Sequence, residues 1–129
     1  MHAHRTEELF LHIPDNPAAV AGLRRTLTDV ASAAGLSREG SFALRLATTE
    51  AVANALRHQA TDDDAVVRIR ADEEGVEGEV SSHGPFRLRN DTSSADRGRG
   101  LPLIVALMDE AAFSRQNGTT SVLLRKRAA

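Results

Sequence analysis

Alternating apolar and polar residues mark five short segments of the chain as candidate β-strands. In residues 65–71, Val67 and Ile69 alternate with two arginines, which is typical of a strand that has one buried and one solvated face. Turn-forming residues separate the second segment from the third and the fourth from the fifth, so we predict two hairpins. The predicted strands are residues 8–13, 65–71, 76–82, 111–114 and 119–124.

Two longer segments show the three-to-four-residue apolar spacing of amphipathic helices. The first follows an Asp-Asn-Pro sequence at 15–17, which is typical of a helix start, and ends at Gly35. The second runs from about Phe42 to Gln59. Its apolar residues surround most of its circumference, so we predict a central helix that is buried on several sides. A third, shorter helix is predicted over residues 100–108, with Leu101, Ile104, Val105 and Met108 on one face.

The order of these elements is strand, helix, helix, two strands, a long polar loop, a short helix and two strands. This order predicts an α+β fold, a two-layer α/β sandwich in which helices cover one face of a mostly antiparallel sheet. A length of 129 residues suits one domain, so we expect residues 1–129 to form a single domain. The loop at 83–99 is long for a compact domain, and such loops are often functional.

Composition narrows the classes of function. The net charge of −2 gives no bulk attraction to nucleic acid or to an anionic membrane, and aromatic residues, at 3%, are too few for a base-stacking platform. The first residues lack an apolar signal core, and no apolar run approaches the length needed to span a bilayer. We therefore expect a cytoplasmic protein without direct nucleic-acid or membrane binding.

Three polar residues stand out on the long helix. Glu50, Asn54 and Arg57 follow one another at spacings of four and three, so they project within one narrow sector. Asn54 can supply an oxygen to a hydrated Mg²⁺, and Glu50 can handle the proton of an attacking hydroxyl group. A helix face that is simply solvated explains the same spacing, and the sequence leaves both interpretations open.

The second candidate is the segment Arg97-Gly98-Arg99-Gly100-Leu101. Glycine lets the backbone approach a ligand closely, and a helix N-terminus presents free amide groups to phosphate. A glycine turn that merely begins a helix is the alternative. Arginines at 87, 89, 97 and 99 suit either phosphate oxygens or an acidic protein, unless they are only solvated. The basic residues at 125–127 are expected to form a solvated tail, and a metal site at His2 and His4 is not expected.

Four motifs follow one another along the chain: RLATTEAVANALRH (45–58), EVSSHGPF (79–86), RGRGLPLIVALMDE (97–110) and GTTSVLLRK (118–126). In this order they resemble the GHKL ATPases, and within them the small anti-sigma-factor serine kinases of stress response and sporulation. The resemblance covers nearly the whole chain, and the order of the motifs is far more specific than any one of them.

This resemblance implies a Bergerat-type sandwich that holds Mg-ATP between the long helix, the glycine-rich loop and the sheet. Glu50 corresponds to the family's proposed catalytic base and Asn54 to its Mg²⁺ ligand. Thr119 and Thr120 correspond to the late strand that closes the adenine pocket. The implied nucleotide-binding residues are Asn54, Arg57, Ser82, Gly84, Arg97, Gly98, Gly100, Leu101 and Thr120.

One motif departs from the family pattern. The family has an aspartate two residues before the first glycine of this motif, and it accepts a hydrogen bond from the adenine amino group. Ser82 stands at that position ahead of Gly84, and Phe86 replaces a second glycine. Losing a charged acceptor costs about 1.5–3 kcal/mol, or roughly ten- to a hundredfold in affinity. The departure therefore bears on adenine selectivity and on catalysis.

Two functions remain open at this point. The resemblance implies a regulator that binds a sigma factor, is countered by a STAS-type anti-anti-sigma protein, phosphorylates that partner on serine with Mg-ATP, and forms a homodimer. The alternative is a degenerate domain that acts as a protein-binding switch without ATP. A domain from a sensor histidine kinase is less favoured, because the chain has no dimerising helical hairpin and no phospho-accepting histidine segment.

Overall fold

The computed structural model describes residues 6–58, 63–83 and 102–129. Two long helices and five strands account for most of these residues, and residues 102–107 form a further short helix. The elements are β1 (Glu7–Ile13), α1 (Pro17–Ala33), α2 (Arg38–His58), β2 (Ala65–Asp72), β3 (Gly75–His83), β4 (Glu110–Gln116) and β5 (Thr119–Arg127). None of the helices in these ranges is both long enough and apolar enough to cross a membrane.

The five strands form one sheet in the order β1-β2-β3-β5-β4, and every neighbouring pair is antiparallel. Both predicted hairpins, β2–β3 and β4–β5, are present. Asn117 and Gly118 join β4 to β5 with positive φ angles of 51° and 80°, which suits a two-residue hairpin turn. The helices pack on one face of this sheet, so the predicted α+β fold is confirmed.

The first helix begins and ends where the sequence predicts. Asn16 accepts a hydrogen bond from the amide of Ala19 at 2.8 Å, and Pro17 occupies the first turn, where its missing N–H group costs nothing. The helix ends before Gly35, whose φ of 85° is a conformation that glycine adopts without strain. Leu23 and Leu27 are buried on the side of α1 that faces the core.

The second helix begins earlier than predicted, at Arg38 instead of Phe42. The Ser37 hydroxyl accepts a hydrogen bond from the amide of Gly40 at 2.9 Å, so Ser37 caps the helix directly. The helix is buried on several sides as predicted, but Phe42, one of the apolar residues expected to be buried, is 53% exposed because no described element covers that side. The predicted stripe on the opposite side, Leu44, Ala47, Ala51 and Ala55, is buried.

The core lies between the helices and the inner face of the sheet. Alternate residues of β2, β3 and β5, such as Val67, Val80 and Val122, are buried against the helices. Ile104 and Met108, in and just after the short helix, are buried as predicted, whereas Val105 is 55% exposed. A six-residue helix cannot bury residues 104 and 105 equally, because adjacent residues point about 100° apart.

The basic residues at 125–127 do not form the solvated tail that the sequence suggests. They are the last residues of β5, and Arg125 donates hydrogen bonds to Glu77 and Glu110, each at 2.6 Å. Lys126 is half-buried and donates to the carbonyl oxygen of Leu107 at 2.9 Å. This segment pairs with carboxylates on the neighbouring strands. Local sequence patterns do not show these contacts, because the partners are distant in sequence.

Ion pairs connect all five strands across the outer face of the sheet. Arg68 on β2 contacts Glu8 on β1 at 3.3 Å and two glutamates on β3, Glu77 at 3.0 Å and Glu79 at 3.2 Å. Arg125 on β5 continues the chain of contacts from Glu77 to Glu110 on β4. We call these residues the outer ion-pair network. A network of this kind gives the solvated face of a sheet paired charges between neighbouring strands.

The network predicts acid-sensitive stability at Glu77. Hydrogen bonds from Arg125, and secondarily from Arg68, lower the pKa of Glu77 below its ordinary value of 4.5 despite the opposing effect of burial. A lowered native-state pKa means that the contribution to stability is complete above the unfolded-state pKa and is lost as pH falls through the native-state pKa. We expect Glu77→Gln to unfold at a lower temperature than wild type at pH 7, with a smaller difference near pH 3.

Thermal unfolding followed by circular dichroism from pH 7 to pH 3 measures this effect. Glu7→Gln is the matched control, because Glu7 is an exposed residue of β1 outside the network. A pH-independent difference between Glu77→Gln and wild type would contradict the prediction.

Candidate functional site

The polar residues predicted on α2 lie along one margin of its buried face. Glu50 and Asn54 are half-buried beside the alanine stripe, and Arg57 is exposed one turn further on. Ala51 and Ala55, which fix the rotation of this part of the helix, are almost fully buried. The shared sector predicted from the spacing is therefore present, and it borders the core instead of facing open solvent.

Two hydroxyl-bearing residues face the helices from the sheet. Ser82 on β3 and Thr120 on β5 are directly opposite each other in the antiparallel register. They are only 6% and 4% exposed, and they continue the inward-facing alternation set by Val80 and Val122. Buried hydroxyl groups are uncommon in an otherwise aliphatic core, so this pair forms a polar patch on the inner face of the sheet.

Chain topology places the α2 residues and the hydroxyl pair at the same end of the fold. The helix ends at His58 and β2 begins at Ala65, so the C-terminal half of α2 lies near the end of the sheet where β2 starts. In antiparallel order, β3 ends and β5 begins at that same end. Glu50 and Asn54 lie on the C-terminal half of α2, so the fold brings both parts of the candidate site together.

The rest of the predicted site lies outside the described residues. This applies to the segment at 97–101, with its two glycines, and to Gly84. It applies equally to the arginines at 87 and 89 and to His2 and His4. The two described parts of the site are therefore the α2 margin and the Ser82–Thr120 pair.

The described side chains are compatible with Mg²⁺ only as part of a larger ligand set. Within residues 6–58, 63–83 and 102–129, no three His, Cys, Asp or Glu side chains lie close enough together to hold a metal ion. Mg²⁺ in nucleotide sites usually takes one or two protein oxygens and completes its shell with water and phosphate. The Asn54 amide oxygen fits that single role, and Ser82 and Thr120 offer neutral hydroxyls to a polar ligand group.

A protein-family model matches most of the chain. Residues 13–126 match the histidine kinase-like ATPase domain, so the chain belongs to that family. The resemblance to GHKL ATPases seen in the sequence is thereby confirmed.

Two curated relatives show which members of the family this chain is similar to. The chain is 26% identical to the serine-protein kinase RsbW of Listeria monocytogenes, over 92% of this chain and 87% of the relative. It is 27% identical to the RsbW of Oceanobacillus iheyensis, over 84% of this chain and 79% of the relative. These similarities support the serine-kinase branch that the motif order indicates.

A solved structure supports the fold. The crystal structure of the RsbU and RsbW domains of Rv1364c from Mycobacterium tuberculosis matches 94% of this chain, with a TM-score of 0.73 and 22% identity. This chain spans about a third of the length of that protein chain, 32%, so the match concerns one part of it.

The sequence interpretation missed a third buried hydroxyl, at Thr48 on α2. Thr48 is fully buried, and its hydroxyl oxygen has no hydrogen-bond partner among the residues that the structure describes. It lies about 120° around the helix from Asn54, on the side where Arg45 donates to Thr28 of α1. Its spacing of four residues from both Leu44 and Val52 could have placed it on the buried stripe.

An unpaired buried hydroxyl destabilises the folded state, so removing it should stabilise the protein. We expect Thr48→Val to raise the free energy of unfolding by about 1 kcal/mol, since Val keeps the shape and removes the desolvated group. Urea denaturation measures the change. Thr48→Ser, which keeps the hydroxyl and loses a methyl group, should be less stable than wild type. A loss of stability in Thr48→Val would mean that the hydroxyl has a partner in solution.

Proposed function

We propose that this protein is an anti-sigma regulator that binds Mg-ATP and phosphorylates a serine of a STAS-type anti-anti-sigma partner. The observation that carries the proposal is the polar patch of Ser82 and Thr120, buried at the end of the fold where α2 presents Glu50 and Asn54. Two adjacent buried hydroxyl groups are unusual in an otherwise aliphatic core, and a nucleotide site needs polar contacts of this kind. The serine-protein kinase names of the curated relatives support the same assignment.

Each residue has a distinct role in this proposal. Asn54 would hold Mg²⁺ through its amide oxygen. The Glu50 carboxylate, one helical turn earlier, orients the partner's seryl hydroxyl and accepts its proton. Ser82 and Thr120 contact the base, and Arg57 adds positive charge at the helix end. Mg-ATP, when bound, would supply the γ-phosphoryl group to the seryl oxygen, with cleavage of its bond to the β-phosphate and release of ADP, and this transfer would depend mainly on positioning and charge neutralisation.

The proposal extends to partners and location. We propose that the protein binds a sigma factor, releases it when the anti-anti-sigma partner binds, and acts as a homodimer in the cytoplasm. Gly84, Arg97, Gly98, Gly100 and Leu101 are assigned to phosphate binding from the motif resemblance. A role in the response to stress or in sporulation follows from the same resemblance.

A second function is favoured by one specific observation. Ser82 carries a neutral hydroxyl where the family has a carboxylate, and this hydroxyl lies in a buried position where a charge would act strongly. A site that lacks the charged acceptor holds adenine less firmly. On this second proposal, the domain is a protein-binding switch that exchanges partners without ATP.

Removing the proposed metal ligand distinguishes the two functions. We expect wild type to bind ATP in the presence of Mg²⁺ and Asn54→Ala to bind it at least about tenfold more weakly, because the metal loses a protein oxygen. Isothermal titration calorimetry measures both affinities. In EDTA, wild type and variant should bind ATP equally, since Asn54 acts through the metal.

Thr49→Ala is the matched control, because Thr49 lies on the far side of α2 and donates to the Arg45 carbonyl oxygen at 2.7 Å. Absence of ATP binding by wild type up to millimolar concentrations would reject the kinase and favour the switch. Equal loss of affinity in Thr49→Ala would indicate a general effect on the helix.

Restoring a carboxylate tests the role of Ser82. We expect Ser82→Asp to strengthen ATP binding by about ten- to a hundredfold, because a charged acceptor replaces a neutral hydroxyl. GTP affinity should not rise, since guanine has no amino group at the equivalent ring position. Ser82→Ala should bind ATP no more tightly than wild type. A parallel rise in ATP and GTP affinity would contradict the assignment of Ser82 to the base.

A further inference from the structure

A groove lies at the opposite end of α2 from the candidate nucleotide site. It has a volume of about 560 Å³ and runs between the first turns of α2, the short helix at 102–107 and the end of β5. Arg38, at the start of α2, is sixteen residues from Asn54, which is about 24 Å along the helix axis. A ligand in this groove therefore does not compete for the residues of the nucleotide site. We call this feature the α2 N-terminal groove.

The floor of the groove is apolar and accessible. Phe42, Ala43, Ala106 and Leu107 line it, and Phe42 is 53% exposed. A single exposed phenylalanine needs no explanation, but here it adjoins further apolar side chains within a concave surface. Concave apolar surfaces of this size are typical of sites that bind a ligand or an anchor side chain of a partner.

Basic side chains outnumber acidic ones around this floor, because Arg38, Lys126 and Arg127 line the groove together with one carboxylate, Glu39. Arg38 is exposed and forms no ion pair with any described residue. The Arg127 side chain is 66% exposed, and its guanidinium group lies 4.0 Å from a carboxylate oxygen of Glu110, while its backbone amide donates to Asp109. Arg45 lies over the Phe42 ring, 5.5 Å from its centroid. The whole chain has a net charge of −2, so this basic rim is a local feature and not a consequence of composition. The guanidinium groups of Arg38 and Arg127 can accept carboxylates from a partner.

We propose that the α2 N-terminal groove is a docking site for an acidic amphipathic segment of a partner protein. The segment places apolar side chains over Phe42 and Leu107 and directs carboxylates toward Arg38 and Arg127. This is the helix-in-groove mode of recognition, in which apolar anchors supply affinity and rim charges supply specificity. The proposal does not depend on nucleotide binding, because it uses none of the residues of that site.

Fluorescence anisotropy with designed peptides tests the proposal on the full chain. The probe is a fluorescein-labelled amphipathic peptide of about 16 residues, with Leu at helical spacing and Glu elsewhere. The comparison probes are the same peptide with Lys in place of Glu and a scrambled peptide of identical composition. We expect wild type to bind the acidic probe and to bind the other two at least about tenfold more weakly.

Matched variants assign the binding to this groove. Phe42→Ala should lower the affinity for the acidic peptide by about tenfold or more. The control is Phe10→Ala, which removes a 62% exposed phenylalanine from the outer sheet face and should change that affinity by less than about twofold. The double charge reversal Arg38→Glu/Arg127→Glu should weaken binding of the acidic peptide and strengthen binding of the Lys peptide. Arg24→Glu/Arg25→Glu on α1 is the control with the same change in net charge.

Three outcomes would overturn the proposal. They are equal binding of the scrambled peptide, equal effects of the groove and control variants, and no binding at millimolar peptide. A Phe42→Ala variant that changes the oligomeric state in analytical ultracentrifugation, without peptide binding by wild type, would assign the groove to a second copy of the chain. ATP titration of the same variants separates this result from the nucleotide proposal, since groove variants should bind ATP as wild type does.

Discussion

The close packing of α2 on the sheet is the contact on which the rest of the fold depends. Ala47, Ala51 and Ala55 are 0%, 1% and 5% exposed, and their small side chains allow the helix to lie close to the strands. A helix held through such a stripe has little freedom to rotate about its axis, because a rotation would replace alanine with a larger or polar side chain. This constraint places Glu50 and Asn54 at the margin of the core, where a ligand can reach them and solvent is partly excluded.

The two faces of the sheet are stabilised by different interactions. The inner face buries aliphatic side chains beneath the helices, and its buried hydroxyls are confined to the end of the fold that holds the α2 polar residues. The outer face has no helix over it in the described part of the chain. There, Arg68 and Arg125 link glutamates on neighbouring strands into a continuous network. Each exposed pair contributes little, but the partly buried Glu77 at the centre couples the network to the packing of β3.

The long helix separates two surfaces with different chemistry. Its C-terminal half contributes a carboxylate and an amide to the proposed nucleotide site, and its first turns border an apolar groove with a basic rim. The proposed partner and the proposed nucleotide therefore contact different residues of α2, so in these two proposals the binding of one does not block the binding of the other.

The sequence by itself determined the elements, the two hairpins, the cap of α1 and the family, because local periodicity and motif order carry those signals. It placed Glu50 with Asn54 and aligned Ser82 with the adenine motif. Only the tertiary structure decided which polar side chains are buried, since burial depends on elements that are distant in sequence. Residues 125–127 belong to the sheet, where glutamates on other strands pair with Arg125. Phe42 is exposed because none of the described elements covers it. Thr48 is buried because α2 packs against elements that are distant in sequence.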